Sequence, residues 1–253
     1  LCGLPPHFSA GANLQFIRRL NRQELADFLV DFQQAIEFVR LAPFPVVAAL
    51  SGLCLGGGCE FSFAADRRVV MAETRMGLVE AGVGLLPSGG GIAHMARTQS
   101  GSNLCKVHRS IATGLVCDNA FEAQKRGLLQ GEDTILLAND QLLFKAVEQL
   151  GSLMESWEER PADLPIEAVS SEEISAMNQW ITDQVDSGRF TAHDALLGRT
   201  LTGVLCGDQG EETKRKNEDV LALERQAFIR LYELEETQLR IDHMLKTGKR
   251  LKN

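Results

Sequence analysis

Two short apolar runs separated by a run of glycines constrain this chain more than any other feature. "PVVAAL" (45–50) and "RRVVMA" (67–72) are apolar and β-branched, the pattern of strands buried on both faces. Ser51-Gly52 breaks the first run. Gly56-Gly57-Gly58 then opens an apolar stretch, residues 59–65, that reads as a short helix. Strand, glycine loop, helix and strand in that order predict a crossover connection and therefore a parallel sheet.

The flanks extend the pattern. Leu25, Phe28, Leu29, Phe32, Ile36 and Val39 recur at helical spacing before Pro43 and Pro45, which predicts an amphipathic helix stopped by proline. "PSGGGIAHMART" reads as a glycine-opened helix, "NAFEAQKRGLL" as a capped helix ending at Gly127, and "TILLA" as another strand. Residues 74–87 read as loop and short helix. Residues 1–150 are thus expected to form an α/β core. Residues 151–173 turn polar and loop-like, and a boundary is expected there. Residues 151–253 are expected to form a mainly helical extension. It ends in a long helix with Val220, Leu223, Ala227, Leu231 and Leu234 on one face and charges on the other. The start, "LCGLPPHFSAGA", reads as the end of a buried strand, as if the chain were a piece of a longer polypeptide.

The formal net charge of −8 over 253 residues argues against a nucleic-acid partner, whose footprint would be basic. No apolar run reaches membrane-spanning length. The six cysteines form no C-x-x-C pair and no metal-ligand spacing, so they read as reduced thiols in a cytoplasmic protein. No metal is expected.

The glycine run lacks the Gly-Lys-Ser/Thr ending of a P-loop and the G-x-G-x-x-G spacing of a dinucleotide loop, and Glu60 would repel an anion. A helix N-terminus without Cβ atoms is better suited to another role, because its bare N–H groups can stabilise an oxyanion. "FSAGANL" (8–14) offers a second small loop with such a donor. Either loop alone reads more simply as a tight turn. Glu60 follows the glycines, and Glu80 sits among apolar residues in "MGLVEAGVGLLPSGGG". A carboxyl group in an apolar pocket keeps its proton to higher pH and works as an acid or base near neutrality. The plain alternative is a helix-dipole charge at Glu60 and a solvated loop charge at Glu80.

Together "FSAGANL", "PVVAALSGLCLGGGCEFSFAADRRVV" and "MGLVEAGVGLLPSGGG" resemble the crotonase (enoyl-CoA hydratase/isomerase) superfamily over residues 1–150. The resemblance implies a ββα superhelix, lacking its first strands here. It implies a thioester carbonyl held by the N–H groups of Ala12 and Gly57, with Ala10, Gly56, Gly58 and Gly89 beside the substrate. Glu60 and Glu80 match the two acids of the family's hydratases: Glu60 would take a proton from water attacking C3, and Glu80 would hold the water and protonate C2. Asn13 departs from the Asp that many family members carry. "LERQAFIRLYELEETQLRIDHMLKTGKRLKN" is similar to the C-terminus of bacterial bifunctional 3-hydroxyacyl-CoA dehydrogenases that carry a hydratase module last. The implied substrate is an acyl-CoA, and no cofactor is expected in this segment; NAD would serve only the dehydrogenase part. A homo-oligomer is implied, with a trimer the family's common form. The alternatives are Δ3-Δ2 enoyl-CoA isomerisation and an inactive fragment that only binds CoA thioesters.

Other residues are expected to be structural. Cys59 reads as packing, His94 as a helix surface residue, and Arg67, Arg68 and Arg97 as solvated charges. Phe28 and Phe32 fit either core or the wall of an acyl tunnel.

Overall fold

A computed structural model describes residues 1–163, 165–207 and 214–253; position 164, inside the expected boundary region, lies outside them. Helices α1 (Leu14–Ile17) and α2 (Arg22–Arg40) come first. Asn21 caps α2 by accepting from the N–H groups of Gln23 and Glu24, and Glu24 returns a bond to the Asn21 N–H, a capping box. Strands β1 (Val47–Leu50) and β2 (Leu53–Leu55), helix α3 (Gly57–Ala64), and strands β3 (Arg67–Met71) and β4 (Arg75–Gly77) follow. A 3-10 turn, Glu80–Val83, leads into α4 (Gly91–Thr98), α5 (Gly101–Ala112), α6 (Ala120–Lys125), β5 (Thr134–Leu136) and α7 (Leu142–Met154). The later elements are helices: α8 (Ser171–Asp186), α9 (Ala192–Cys206), α10 (Asn217–Tyr232) and α11 (Glu235–Thr247).

The strands form two parallel sheets, β1-β3-β5 and β2-β4. Val47 pairs with Arg67 and Leu53 with Arg75, so successive passes of the chain stack as turns of a superhelix. The expected crossover is present: β1, β2, α3 and β3 make one turn. Val69, Val70, Leu50 and Ala48 are wholly buried, as their unbroken apolar runs require.

Several local readings change. Strands β2 and β4, three residues each and bordered or ended by glycine, are too short to stand out by pattern. Helices α5 and α7 have no counterpart among the sequence expectations, and α7 runs on to Met154, past the point where loop was expected. The C-terminal helix is two helices: Leu234 is extended, which ends α10 and redirects α11. The polar face expected for α10 is not wholly solvated, since Glu224 is fully buried. Among the described residues no helix is long and apolar enough to cross a membrane.

Candidate active site

Two loops meet at the N-terminus of α3. Ser9 zips the first loop to β2: its N–H donates to Leu53 O at 2.9 Å and its carbonyl accepts from Leu55 N at 3.0 Å. Gly11 then takes φ +95°, and an added Cβ would stand 3.1 Å from Leu55 O. The next residue, Ala12, is thereby brought to the glycine run. Gly56 leaves β2 with φ +52° and starts the helix without a side-chain cap. Gly57 is the first helical residue, so its N–H has no intrahelical acceptor. Among the described residues neither Ala12 N nor Gly57 N donates to a protein acceptor. Both line one cavity of about 300 Å³.

The same cavity is lined by Ala10, Gly56, Glu60 and Glu80. Glu60 projects from the first turns of α3 and is 3% exposed. Its Oε1 accepts from Gly89 N at 2.7 Å and Gly91 N at 2.9 Å. Burial pushes its carboxyl up to about 7, and the backbone N–H groups of Gly91 and Gly89 oppose the rise. Glu80 begins the 3-10 turn, which Gly84 ends at φ +83°. Its Oε2 is buried without a hydrogen-bond partner. Burial first, and the Glu60 charge second, push Glu80 up to about 8. Two interacting acids in one apolar cavity titrate as a pair, and burial keeps that pair from being fully ionised at neutral pH.

The expected residues divide by place. Gly58 borders a neighbouring cavity of about 430 Å³. Gly89 stands against Glu60: an added Cβ would lie 2.3 Å from Phe32 Cε1 and 3.0 Å from Glu60 Oε2. Ser88 supplies that loop's lining of the main cavity. Phe28 and Phe32 line both cavities. Their rings stack at 6.0 Å and continue edge-on to Phe16 and Phe61, so they are wall rather than closed core.

Three expectations are corrected. His94 is 8% exposed and stacks on Phe63 at 4.6 Å; burial and the Arg68 charge hold it well below the usual histidine range. Arg68 is buried and bonds Asp133 at 2.8 Å, because β3 and β5 bury both ends of the pair. Arg97, largely buried, bonds Asn217, and burial pulls it down to about 10. Cys59 is packing: it is 0% exposed and its thiol donates to Cys54 O at 2.7 Å. Sequence reasoning missed Val79, Phe228, Met244 and Arg250, which close the cavity. The last three come from distant parts of the chain, so no local pattern marks them.

The enoyl-CoA hydratase/isomerase family model matches residues 1–188. The chain belongs to this family. A Bacillus subtilis relative named "Probable 3-hydroxyacyl-CoA dehydrogenase" is 32% identical over 258 aligned positions, covering 98% of this chain and 33% of that protein. The fatty acid oxidation complex subunit alpha of Vibrio parahaemolyticus is 30% identical, covering 94% of this chain and 34% of that protein. The mouse mitochondrial methylglutaconyl-CoA hydratase is 36% identical over 94 residues, which are 37% of this chain and 30% of that protein. The chain thus spans about a third of the length of these curated relatives. The solved structure of enoyl-CoA hydratase from Bacillus halodurans superposes with a TM-score of 0.61 at 17% identity, covering 93% of this chain and 76% of that one. This likeness is one of fold, and the fold of this family member is the crotonase fold.

Proposed function

We propose that this family member is an enoyl-CoA hydratase, adding water to the C2=C3 bond of a 2-enoyl-CoA thioester in fatty-acid β-oxidation. The observation that carries the reading is the meeting of the buried Glu60 carboxyl group and the enclosed Oε2 of half-buried Glu80 with two backbone N–H groups that have no protein acceptor, on one apolar cavity.

The chemistry follows from the placement. The thioester oxygen accepts from Ala12 N–H and Gly57 N–H, and the positive end of α3 adds to their field. As water oxygen bonds to C3, negative charge develops on the thioester oxygen, where losing one such donor costs about 3–4 kcal/mol of barrier. Glu60, whose charged form the Gly89 and Gly91 N–H groups favour, takes the proton from the attacking water. Glu80, whose Oε2 has no donor to hold a charge, keeps its proton and delivers it to C2. The step ends with Glu60 protonated and Glu80 ionised, and transfer of that proton back restores the starting state. Water supplies both the hydroxyl and, over the cycle, the hydrogen, so the step needs no cofactor. Phe28 and Phe32 wall the acyl chain.

The names of the relatives support a place in a longer fatty-acid oxidation polypeptide. In it NAD would serve a 3-hydroxyacyl-CoA dehydrogenase part, acting on the 3-hydroxyacyl product. Self-association, with a trimer as the expected form, belongs to the same reading and is tested by light scattering.

The deciding assay is loss of the enone absorbance of crotonyl-CoA. The wild-type chain should hydrate it, and Glu60→Gln should lower kcat at least ~100-fold. Near-full hydratase activity in folded Glu60→Gln would refute the paired-acid mechanism. Conversion of a 3-enoyl-CoA without hydration of the 2-enoyl-CoA would assign the cavity to isomerisation.

A further inference from the structure

The loop that fixes Glu60 is itself held by a second buried acid. Gly90 N donates to Glu224 Oε2 at 2.7 Å and Ala93 N to Glu224 Oε1 at 2.8 Å. Gly89 N and Gly91 N, interleaved with them, donate to Glu60 Oε1. Four N–H groups within residues 89–93 therefore bind two carboxyl groups, one from α3 and one from α10. Gly90 is the first residue before α4, takes φ +106° and has no side chain to cap the helix. Glu224 supplies the cap from elsewhere in the fold.

The anchoring extends along the segment. Gln33 Nε2 on α2 donates to Ser88 O at 2.7 Å and to Leu221 O on α10 at 3.0 Å. Residues 88–93 are thus pinned to α10 at both ends. Glu224 is 0% exposed and does not line the substrate cavity. Burial, with the Glu60 charge added, pushes its carboxyl upward, while Arg97 and the two backbone N–H groups oppose the rise. Glu37 and Arg40 of α2, and the neutral His94 of α4, surround the same corner. A buried acid is a costly way to gain stability alone, since apolar residues of similar volume often serve better. What the acid provides is direction: a carboxyl group with two well-aimed bonds fixes a glycine-rich backbone that has no side chains to fix itself.

We propose that Glu224 is a positioning residue for Glu60, locking the Gly89–Ala93 backbone so that its amides hold the Glu60 carboxyl group in its working orientation. This inference rests on the acid–base role of Glu60 proposed above. Glu224 acts through the loop and touches no reacting atom.

The test is steady-state kinetics on the full chain with crotonyl-CoA, with melting temperature measured alongside, for wild type, Glu224→Gln and Glu224→Ala. Gln keeps the shape and one acceptor; Ala keeps neither. The expected result is a kcat lowered at least ~5-fold in Glu224→Gln and ~100-fold in Glu224→Ala, the scale of a misplaced catalytic group, with KM within about twofold of wild type. The partial recovery in the Gln variant distinguishes aiming from bulk packing. Variants that melt lower but keep wild-type kcat, or that raise KM alone, overturn the proposal and leave Glu224 a structural cap. Glu224→Gln decides the matter if the Ala variant fails to fold. A wild-type chain that turns over neither crotonyl-CoA nor a 3-enoyl-CoA overturns the acid–base reading and this inference together; an active wild type with fully active variants overturns only this one.

Discussion

Replacing Glu80 by Gln should make the protein more stable and far less active, and the gain should depend on pH. Glu80 carries a proton up to about pH 8 in the folded protein, against a usual value of 4.5, chiefly because burial disfavours its charge. Its folded pKa is raised, so the stability it supports is present below about pH 4.5 and is lost as pH rises towards 8. Across that window the unfolded chain has released the proton and the folded chain has not. Each pH unit then costs the fold ~1.4 kcal/mol. By pH 7 the deficit is ~3 kcal/mol, an order-of-magnitude figure built on the whole difference between the two states. Gln fills the same space, carries no charge and removes the repulsion on Glu60. Melting of wild type and Glu80→Gln is compared from about pH 4.5 to about pH 8.5. The two should nearly coincide at the acid end, and the variant should lead by several degrees at about pH 7–8, since ~1 kcal/mol moves a protein of this size by roughly 2–4 °C. Its kcat on crotonyl-CoA should fall at least ~100-fold. A melting difference that stays constant with pH, or that shrinks as pH rises, would refute the placement of Glu80 as a buried, proton-holding acid.

Two further outcomes follow from contacts around the site. Gly89→Ala would set a Cβ 2.3 Å from Phe32 Cε1 and 2.7 Å from Ile36 Cδ1, so urea denaturation should register a loss of ~1–3 kcal/mol, with kcat falling more than KM rises. Asp133→Ala would strand Arg68, which gives Asp133 both its backbone N–H and its Nε–H; a buried charge left unpaired costs ~3–5 kcal/mol. The double variant Arg68→Met/Asp133→Leu should recover most of that loss in the same denaturation assay.

The site was legible in the sequence to an uneven degree. Gly57 and Glu60 stand three residues apart on one helix, so the chain alone brings a free N–H and an acid to the same end of that helix. Glu80 stood out by its apolar flanks, but these fit a solvated loop charge as well, and only the fold encloses its Oε2. Gly89 entered the sequence reading only through the family resemblance, as a neighbour of the substrate; its N–H bond to Glu60 had no sequence signal. His94 and Arg68 were misread for a common reason: a polar residue on a short element gives no sign of which neighbours will cover it. Glu224 was missed because helical periodicity placed it among the charges of a solvated face, and only the packing of α10 on α4 buries it.

The sequence by itself determined the local conformations. Glycines at positive φ, caps such as Asn21, and β-branched runs set the turns, helices and strands of the core through interactions that reach a few residues along the chain. Tertiary structure decided the electrostatics. Whether a carboxyl group meets water or backbone N–H groups depends on elements far away in the chain, as Glu224 on Gly90 and Ala93 shows. Desolvation is a property of everything packed around a group, and that is why the proton-holding power of the two acids exists only once α2 and α4 have closed on the helix of Glu60, and α5 and α11 on the turn of Glu80.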